Sequence, residues 1–351
     1  MERTSRRRPP QLTVIFFLVL VNIFWGISFP LTKTISLVID QHFGVGLNEG
    51  STLLRVSAAC WLILLRFTVA FAIFSLCFRP LVRRARAAEW RAGCQIGTLF
   101  FIGLIFQITA LATIPASRSG FLTSLVAVFT PLLTALVLRI QPRPQVLLGV
   151  AVALLGVSVL TGLVLWTGSG IGFADDAWQA WTVGDSLTTI GAVFFAGQLI
   201  LVDYYGKRLD AAALTPGMFA STAVLAAITF VSLRPLTPES SSGSWLALTA
   251  EPRFWSLILV LSVVSSVLAF GLMNSYQHYV SASQAGVIYT LEPVVAASAA
   301  MILPGLLSAR VGVHYPNEQM VMPMLLGGGL IVLANLISLW PRSPATQPIV
   351  R

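Results

Sequence analysis

Two charged side chains, Arg66 and Glu292, lie well inside long apolar stretches of this 351-residue chain. A charged residue at the centre of a membrane helix costs about 2.5–3.5 kcal/mol on insertion scales, so its presence needs a reason. Because burial disfavours the ionised form of a carboxyl group, Glu292 could load and release a proton as access to it changes. The structural alternative is an ion pair between Arg66 and Glu292, or separate pairing with backbone and amide groups, that holds helices together.

Polar and aromatic residues in similar stretches form a second set of candidates for binding a substrate. Tyr289 lies one helical turn before Glu292 and shares its face, where it could stack on a planar compound. Trp25 stands away from the span ends, so it is either a packing residue or an apolar wall of a cavity. For the remaining candidates the alternative is hydrogen bonding between helices: they are Gln107, Ser124, Gln198 and Asn274.

Lys33 and Asp203 are candidates for gating. Lys33 lies near the outer end of the first apolar stretch, and Asp203 lies near the cytoplasmic end of the sixth. The alternative for both is an ordinary interfacial position, where a long or polar side chain reaches the headgroups.

The composition places these residues in a membrane. Apolar residues make up 56% of the chain and charged residues 10%, whereas soluble domains have about 45–50% and about 25%. The net charge of +9 does not indicate nucleic-acid binding, because the basic residues cluster at the ends of apolar stretches. We therefore expect the lipid bilayer as the surroundings and no nucleic-acid partner.

The apolar stretches predict ten membrane-spanning helices. A bilayer core of about 30 Å requires roughly 20 helical residues, and the stretches are apolar on every face, without the alternation of a membrane strand. The predicted fold is an all-α membrane protein, and its predicted spans are 12–33, 57–78, 92–113, 118–138, 145–166, 184–205, 213–233, 254–275, 284–304 and 321–340.

The distribution of basic residues predicts the orientation. With the N-terminus inside, 15 of the 22 Lys and Arg residues fall on the cytoplasmic side, as the positive-inside rule requires. Both termini are then cytoplasmic, in a multi-pass protein of the inner or plasma membrane. The arginine-rich start followed by Leu12–Phe29 resembles a secretory signal, but its apolar stretch is too long, which indicates a retained first span.

An internal repeat divides the chain. ASRSGFLTSL begins at Ala116 and ASQAGVIYTL begins at Ala282, a separation of 166 residues. Because each half has five spans, the two segments enter the membrane from opposite sides, which is typical of inverted-repeat transporters. We predict a first five-helix repeat at 1–166, an outer linker at 167–183, a second repeat at 184–340 and a cytoplasmic tail at 341–351.

The motifs of several enzyme classes are missing from the sequence. The three cysteines have no CxxC spacing, and the three histidines form no HExxH pattern, so we expect no metal and no cofactor. No Walker P-loop or GxSxG turn occurs, so we expect neither direct use of ATP nor an enzyme. Two alternatives to a transporter stay open. One is a channel or scaffold without alternating access, and the other is a membrane enzyme acting on lipid-linked substrates. We expect a monomer.

Four local motifs, in chain order, resemble those of one family. They are WGISFPLTK (Trp25–Lys33), Arg66–Phe67, GDSL (Gly184–Leu187) and LEPV (Leu291–Val294). Together they resemble the EamA-like permeases of the drug/metabolite transporter superfamily. The resemblance implies a ten-helix transporter with a central cavity between its halves, which moves amino acids, nucleobase-like compounds, drugs or other metabolites. The segment Ser308–Gln319 is longer than the resemblance leads us to expect.

Overall fold

The computed structural model describes residues 9–46, 50–167, 170–173, 181–237, 244–280, 285 and 288–339. In this part of the chain, ten helices are long and apolar enough to cross a membrane. The prediction of an all-α membrane protein with ten spans is thus confirmed. We number them spans 1 to 10: Gln11–His42, Thr52–Cys77, Ala87–Leu111, Ala116–Val137, Pro144–Thr161, Val183–Gly206, Ala211–Leu236, Pro252–Tyr276, Glu292–Val311 and Met322–Leu339.

Two spans are interrupted. Span 4 consists of the helices Ala116–Thr123 and Val126–Val137. Span 8 consists of the helices Pro252–Ser262 and Ala269–Tyr276, joined by a π-helical stretch at Val263–Leu268. Such irregular backbone within a membrane is tolerated where it is buried in protein or lines a cavity.

Short elements connect the spans. Helix Arg79–Arg84 follows span 2, and helix Trp245–Leu248 precedes span 8. After span 5 the strands β1 (Val164–Thr167) and β2 (Gly170–Phe173) form an antiparallel hairpin. The 3-10 turns are Ala211–Leu214 and Arg234–Leu236 at the two ends of span 7, and Gln277–Tyr279 after span 8.

The predicted bounds were wrong at several ends. Span 1 continues to His42, because a helix satisfies its own backbone hydrogen bonds and need not stop where the apolar run stops. Span 5 ends at Thr161, where Gly162 has φ 82°. This left-handed conformation, which glycine adopts without steric cost, terminates the helix. The predicted start of span 9 at residue 284 lies outside the described residues; within them, a turn at Thr290–Leu291 precedes the helix that begins at Glu292.

Some sequence-based predictions concern residues outside the described part of the chain. These are the arginine-rich start, most of the linker 167–183, the tail 341–351 and most of the repeated segment that begins at Ala282.

Contacts between distant segments show how the bundle is arranged. Phe17 in span 1 stacks on Tyr276 at the end of span 8, with ring centroids 4.5 Å apart. At the other end of span 1, His42 Nε2 lies 3.1 Å from the carbonyl oxygen of Ser244, just before span 8. Spans 1 and 8 are therefore antiparallel. We call the face where span 1 begins the N-terminal face, and the other the opposite face.

The main packing contacts fall into pairs. In the first pair, span 1 packs on span 9 and span 6 packs on span 4. In the second pair, span 3 packs on span 6 and span 8 packs on span 1. In the third pair, span 3 packs on span 7 and span 8 packs on span 2. Exchanging spans 1–5 for spans 6–10 converts the first contact of each pair into the second. Two halves related by a two-fold axis would give this pattern.

Spans 5 and 10 approach each other through glycines. A Cβ atom on Gly156 would lie 2.9 Å from the carbonyl oxygen of Gly327, and one on Gly327 would lie 2.7 Å from that of Gly156. Such distances are shorter than van der Waals contact, so the helices meet backbone to backbone. Small residues commonly permit this approach between membrane helices.

Two alanine substitutions two residues apart test this contact. We expect Gly327→Ala to destabilise the folded protein by about 1–3 kcal/mol, because the new methyl group forces spans 5 and 10 apart. Gly329→Ala is the matched control, since a Cβ there meets no atom within 4 Å, and alanine favours a helix by about 0.5–1 kcal/mol over glycine. Thermal unfolding in detergent measures both; equal losses of stability would contradict close packing at Gly327.

Candidate substrate cavity

A cavity of about 740 Å³ extends from the middle of the bundle to the N-terminal face. At its inner end it reaches Trp25, Arg66 and Glu292, and at its mouth it reaches Asp203 and Arg208 at the end of span 6. Its size is in the range of small-molecule binding sites.

Aromatic rings form a continuous part of the cavity lining. The Trp25 ring centroid lies 5.7 Å from that of Tyr289 and 5.4 Å from that of Phe270. Phe270 in turn lies 5.2 Å from Phe100, whose centroid lies 5.8 Å from Phe195. These separations are typical of interacting aromatic pairs, so Trp25 is at once a packing residue and a wall of the cavity.

Arg66 lines the cavity, and its guanidinium group already donates hydrogen bonds within the protein. Its Nε donates to Ser266 Oγ at 2.8 Å, and its Nη2 donates to the carbonyl oxygen of Ser265 at 3.2 Å. Its guanidinium carbon is 5.0 Å from the ring centroid of Phe67. Ser265 and Ser266 lie in the π-helical stretch of span 8, so the irregular backbone supplies acceptors to a cation that is only 4% exposed.

Glu292 opens span 9 because of its neighbour. Pro293 has no backbone N–H, so it cannot donate to the carbonyl of Tyr289, and proline is well suited to the first turn of a helix. Thr290 and Leu291 form a turn immediately before this helix. A carboxylate in the first turn is favoured by the helix dipole.

Arg66 and Glu292 do not form the ion pair that was one sequence-based alternative. The described residues contain two salt bridges, Arg118 with Asp185 and Lys207 with Asp203. In the described part of the chain we find no hydrogen-bond partner for the Glu292 carboxylate either.

The break within span 4 and the turn just before span 9 share one hydrogen-bond pattern. In span 4 the amide of Leu125 donates to the carbonyl of Leu122, and before span 9 the amide of Leu291 donates to that of Ile288, each at 3.2 Å. The two bonds are offset by the same 166 residues as the sequence repeat. Discontinuous helices at corresponding positions of two halves are the usual surroundings of a transport site.

The structure separates the other candidates into two groups. Gln107, Ser124 and Gln198 line the cavity, and so does Asp203, which pairs with Lys207 at 2.5 Å. Asn274 does not line it: its Nδ2 donates to Thr215 Oγ1. Gln107 and Ser124 also serve packing, since Gln107 donates to Thr123 Oγ1 at 2.9 Å and Ser124 accepts from Asn335 at 3.2 Å.

A polar network lies at the opposite face, and sequence reasoning missed its centre, Glu318. The Glu318 carboxylate accepts from the amides of Ala116 and Ser117 at 2.6 and 3.1 Å, and from Ser117 Oγ at 2.5 Å. Tyr315 also donates to it, at 3.1 Å. The unusual length of Ser308–Gln319 was the only sequence signal. Its first four residues end span 9, and the chain from Gly312 onward folds back along that span to place Glu318 at the start of span 4.

Two further cations strengthen this network. Lys33 Nζ donates to the carbonyl of Ile114 at 2.5 Å, and it lies 5.8 Å from the ring centroid of Tyr315. Arg118 binds both carboxylate oxygens of Asp185, at 2.6 and 2.5 Å. We call Lys33, Ser117, Arg118, Asp185 and Glu318 the opposite-face latch, because they join spans 1, 4 and 6 to the segment after span 9.

Burial and the nearby Glu318 carboxylate together change the pKa of one group outside the spans, the Tyr315 hydroxyl. The pKa of the Tyr315 hydroxyl is raised, first because the residue is buried and also because the Glu318 carboxylate is close. Its hydroxyl therefore stays protonated and continues to donate to Glu318 at any physiological pH.

A ten-span bundle whose internal cavity opens towards one face has the architecture of a membrane transporter. Residues 182–305 match the sequence model of the EamA-like transporter family. The chain is also 24% identical to an uncharacterized transporter of Archaeoglobus fulgidus over 279 residues, which are 80% of this chain and 74% of that protein. These matches confirm the EamA-like resemblance, and the chain is a membrane transporter.

A solved structure supports the fold. A protein of known crystal structure aligns with 93% of this chain and 96% of its own, with a TM-score of 0.53 and 17% sequence identity. At this identity the similarity concerns the fold alone.

The pairing of Arg66 gives a prediction for the site. We expect Ser266→Ala to destabilise the protein by about 1–3 kcal/mol, because a buried charged donor loses its acceptor. Ser298→Ala is the control: its exposed hydroxyl bonds only to the carbonyl of Val294 in its own helix. Chemical unfolding in detergent compares the two, and an unchanged stability of Ser266→Ala would show that this bond does not hold Arg66.

Proposed function

We propose that this protein is a secondary transporter of a small metabolite, amino acid or drug-like compound, which works by alternating access. Two inverted five-span halves rock against each other around the cavity. The observation that carries this proposal is the asymmetry of the two faces. The cavity lining reaches the N-terminal face, and among the described lining residues none belongs to the opposite-face latch.

The latch supports alternating access because of the elements that its bonds connect. Each joins elements that must separate if the cavity is to open at the opposite face. The carboxylate of Glu318 and the start of span 4 are more than 200 residues apart in the chain, so no local structure holds them together. We identify the N-terminal face as cytoplasmic from the distribution of basic residues, in the inner or plasma membrane.

Glu292 is the proposed coupling group, with a proton as the coupling ion. It lines the cavity with Arg66 and Tyr289, while Asp203, Lys207 and Arg208 are the charged groups of the mouth. Among the described residues nothing pairs with this carboxyl, so it can exchange a proton with whichever side the cavity opens to. When the cavity opens to the other face, the surroundings of the carboxyl change and the proton is released.

Uptake into proteoliposomes tests coupling. A panel of amino acids, nucleosides and drug-like amines is supplied with and without a pH gradient. We expect the gradient to drive uptake by the wild type, and Glu292→Gln to abolish the gradient dependence while still allowing exchange of substrate. Glu251→Gln is the matched control, because Glu251 is exposed before span 8. Unaltered gradient-driven uptake by Glu292→Gln would exclude Glu292 as the coupling group.

A cleavable cross-link tests the latch. In a background without Cys60, Cys77 and Cys94, Ser117→Cys is combined with Glu318→Cys, and a short bis-methanethiosulfonate reagent bridges the gap that the shorter cysteine side chain leaves at position 318. We expect cross-linking to stop transport and reduction to restore it, since the cavity can then no longer open at the opposite face. Each single variant treated with the same reagent is the control. Continued transport by the fully cross-linked protein would contradict alternating access at this position.

A further inference from the structure

In the described part of the chain, the Glu292 carboxyl is the acidic group of the inner cavity for which we find no hydrogen-bond donor and no ion-pair partner. Within the described residues nothing donates a hydrogen bond to it or forms an ion pair with it, and the salt bridges lie elsewhere. An ionised carboxylate away from bulk water is strongly unfavourable without a partner. The group is therefore protonated, or it is neutralised by a cation that enters the cavity.

Arg66 has fewer free hydrogen-bonding groups for a ligand than its charge suggests. Two of its donors already bond to Ser266 and Ser265, its guanidinium lies over Phe67, and the residue is 4% exposed. A ligand anion would have to displace these contacts or use the few remaining donors. The interior of the cavity therefore presents an accessible acid and an inaccessible base.

The charges at the mouth do not reverse this preference. Lys207 is paired with Asp203, and Arg208 lies over the Tyr204 ring at 3.8 Å and donates to the Tyr204 carbonyl. Both basic side chains stand at the exposed end of the cavity, where water and salt screen them. The charge that a desolvated ligand meets is that of Glu292.

Aromatic rings stand beside this acid. Tyr289 stands three residues before Glu292 and lines the same cavity, and the Tyr289 ring centroid is 5.7 Å from that of Trp25. A cation within about 6 Å of an aromatic ring centroid is attracted to the face of the ring. An ammonium group bound to Glu292 would therefore gain from the same rings that can pack against a planar substituent.

We propose that the cavity recognises a protonated amine that carries a planar or aromatic ring. The ammonium group donates to the Glu292 carboxylate, and the ring packs against Trp25 and Tyr289. This inference rests on the proposed transport function, because it names the class of compound that the transport cavity binds.

Binding to the purified protein in detergent, measured by calorimetry, tests the class of ligand. The probes are 2-phenylethylamine, phenylalanine and 3-phenylpropionate, which share a phenyl ring and differ in charge, with 2-cyclohexylethylamine as the amine without an aromatic ring. We expect 2-phenylethylamine to bind most tightly. Glu292→Gln should weaken its binding by about tenfold or more, the scale of one lost charge-assisted hydrogen bond, while Glu251→Gln should leave it unchanged.

Two more variants test the contribution of the carboxylate and the contribution of the aromatic ring to binding separately. Glu292→Asp keeps the carboxylate and should retain the preference for the amine over 3-phenylpropionate. Trp25→Leu should reduce the advantage of 2-phenylethylamine over 2-cyclohexylethylamine. Thermal unfolding of each variant shows that it is folded.

The outcomes are distinct from those of the transport proposal. Tighter binding of phenylalanine or 3-phenylpropionate, no binding of 2-phenylethylamine, or competition by sodium ions alone would overturn the amine class. Uptake of any compound from the liposome panel would still support a transporter. Conversely, amine binding that depends on Glu292, without uptake of any compound, would contradict transport and leave the recognition of amines in place.

Discussion

The fold depends on one constraint: inside lipid, each charged or polar group must find its partner within the protein. Arg66 meets this requirement through Ser266 and the Ser265 carbonyl, and Arg118 through Asp185. Among the charged groups of the inner cavity, Glu292 is the exception, since no described residue pairs with it; the cavity-lining Asn335 also leaves its Oδ1 without a hydrogen-bond partner. An unpaired acid at the end of a deep cavity costs stability, and the exception is therefore where function is to be sought.

Departures from regular helix surround the same cavity. The turns before Val126 and Glu292 lie 166 residues apart, and the π-helical stretch Val263–Leu268 supplies acceptors to Arg66. Each frees backbone groups that a regular helix would consume internally. In a membrane such groups persist only when protein or a water-reaching cavity satisfies them, so the irregular backbone and the polar lining have a common cause.

Charged groups at the two faces of the bundle are paired in different ways. At the opposite face a non-helical segment brings Glu318 to the start of span 4, where the carboxylate meets two backbone amides that the first turn of a helix leaves unpaired. At the N-terminal face the cavity remains open, and its charged residues Asp203 and Lys207 pair with each other beside water. One closed and one open face is the arrangement that an alternating-access cycle needs in a single state.

The sequence by itself determined the ten spans, because runs of about 20 apolar residues have few alternatives to crossing a bilayer. It also marked Arg66, Glu292, Trp25 and Tyr289 as unusual for their depth. Only the tertiary structure decided which polar residues share a cavity: Gln198 lines it, whereas Asn274 packs on Thr215. Glu318 was likewise invisible, because helices that are apolar all round carry no periodic signal of which face, or which distant segment, each will meet.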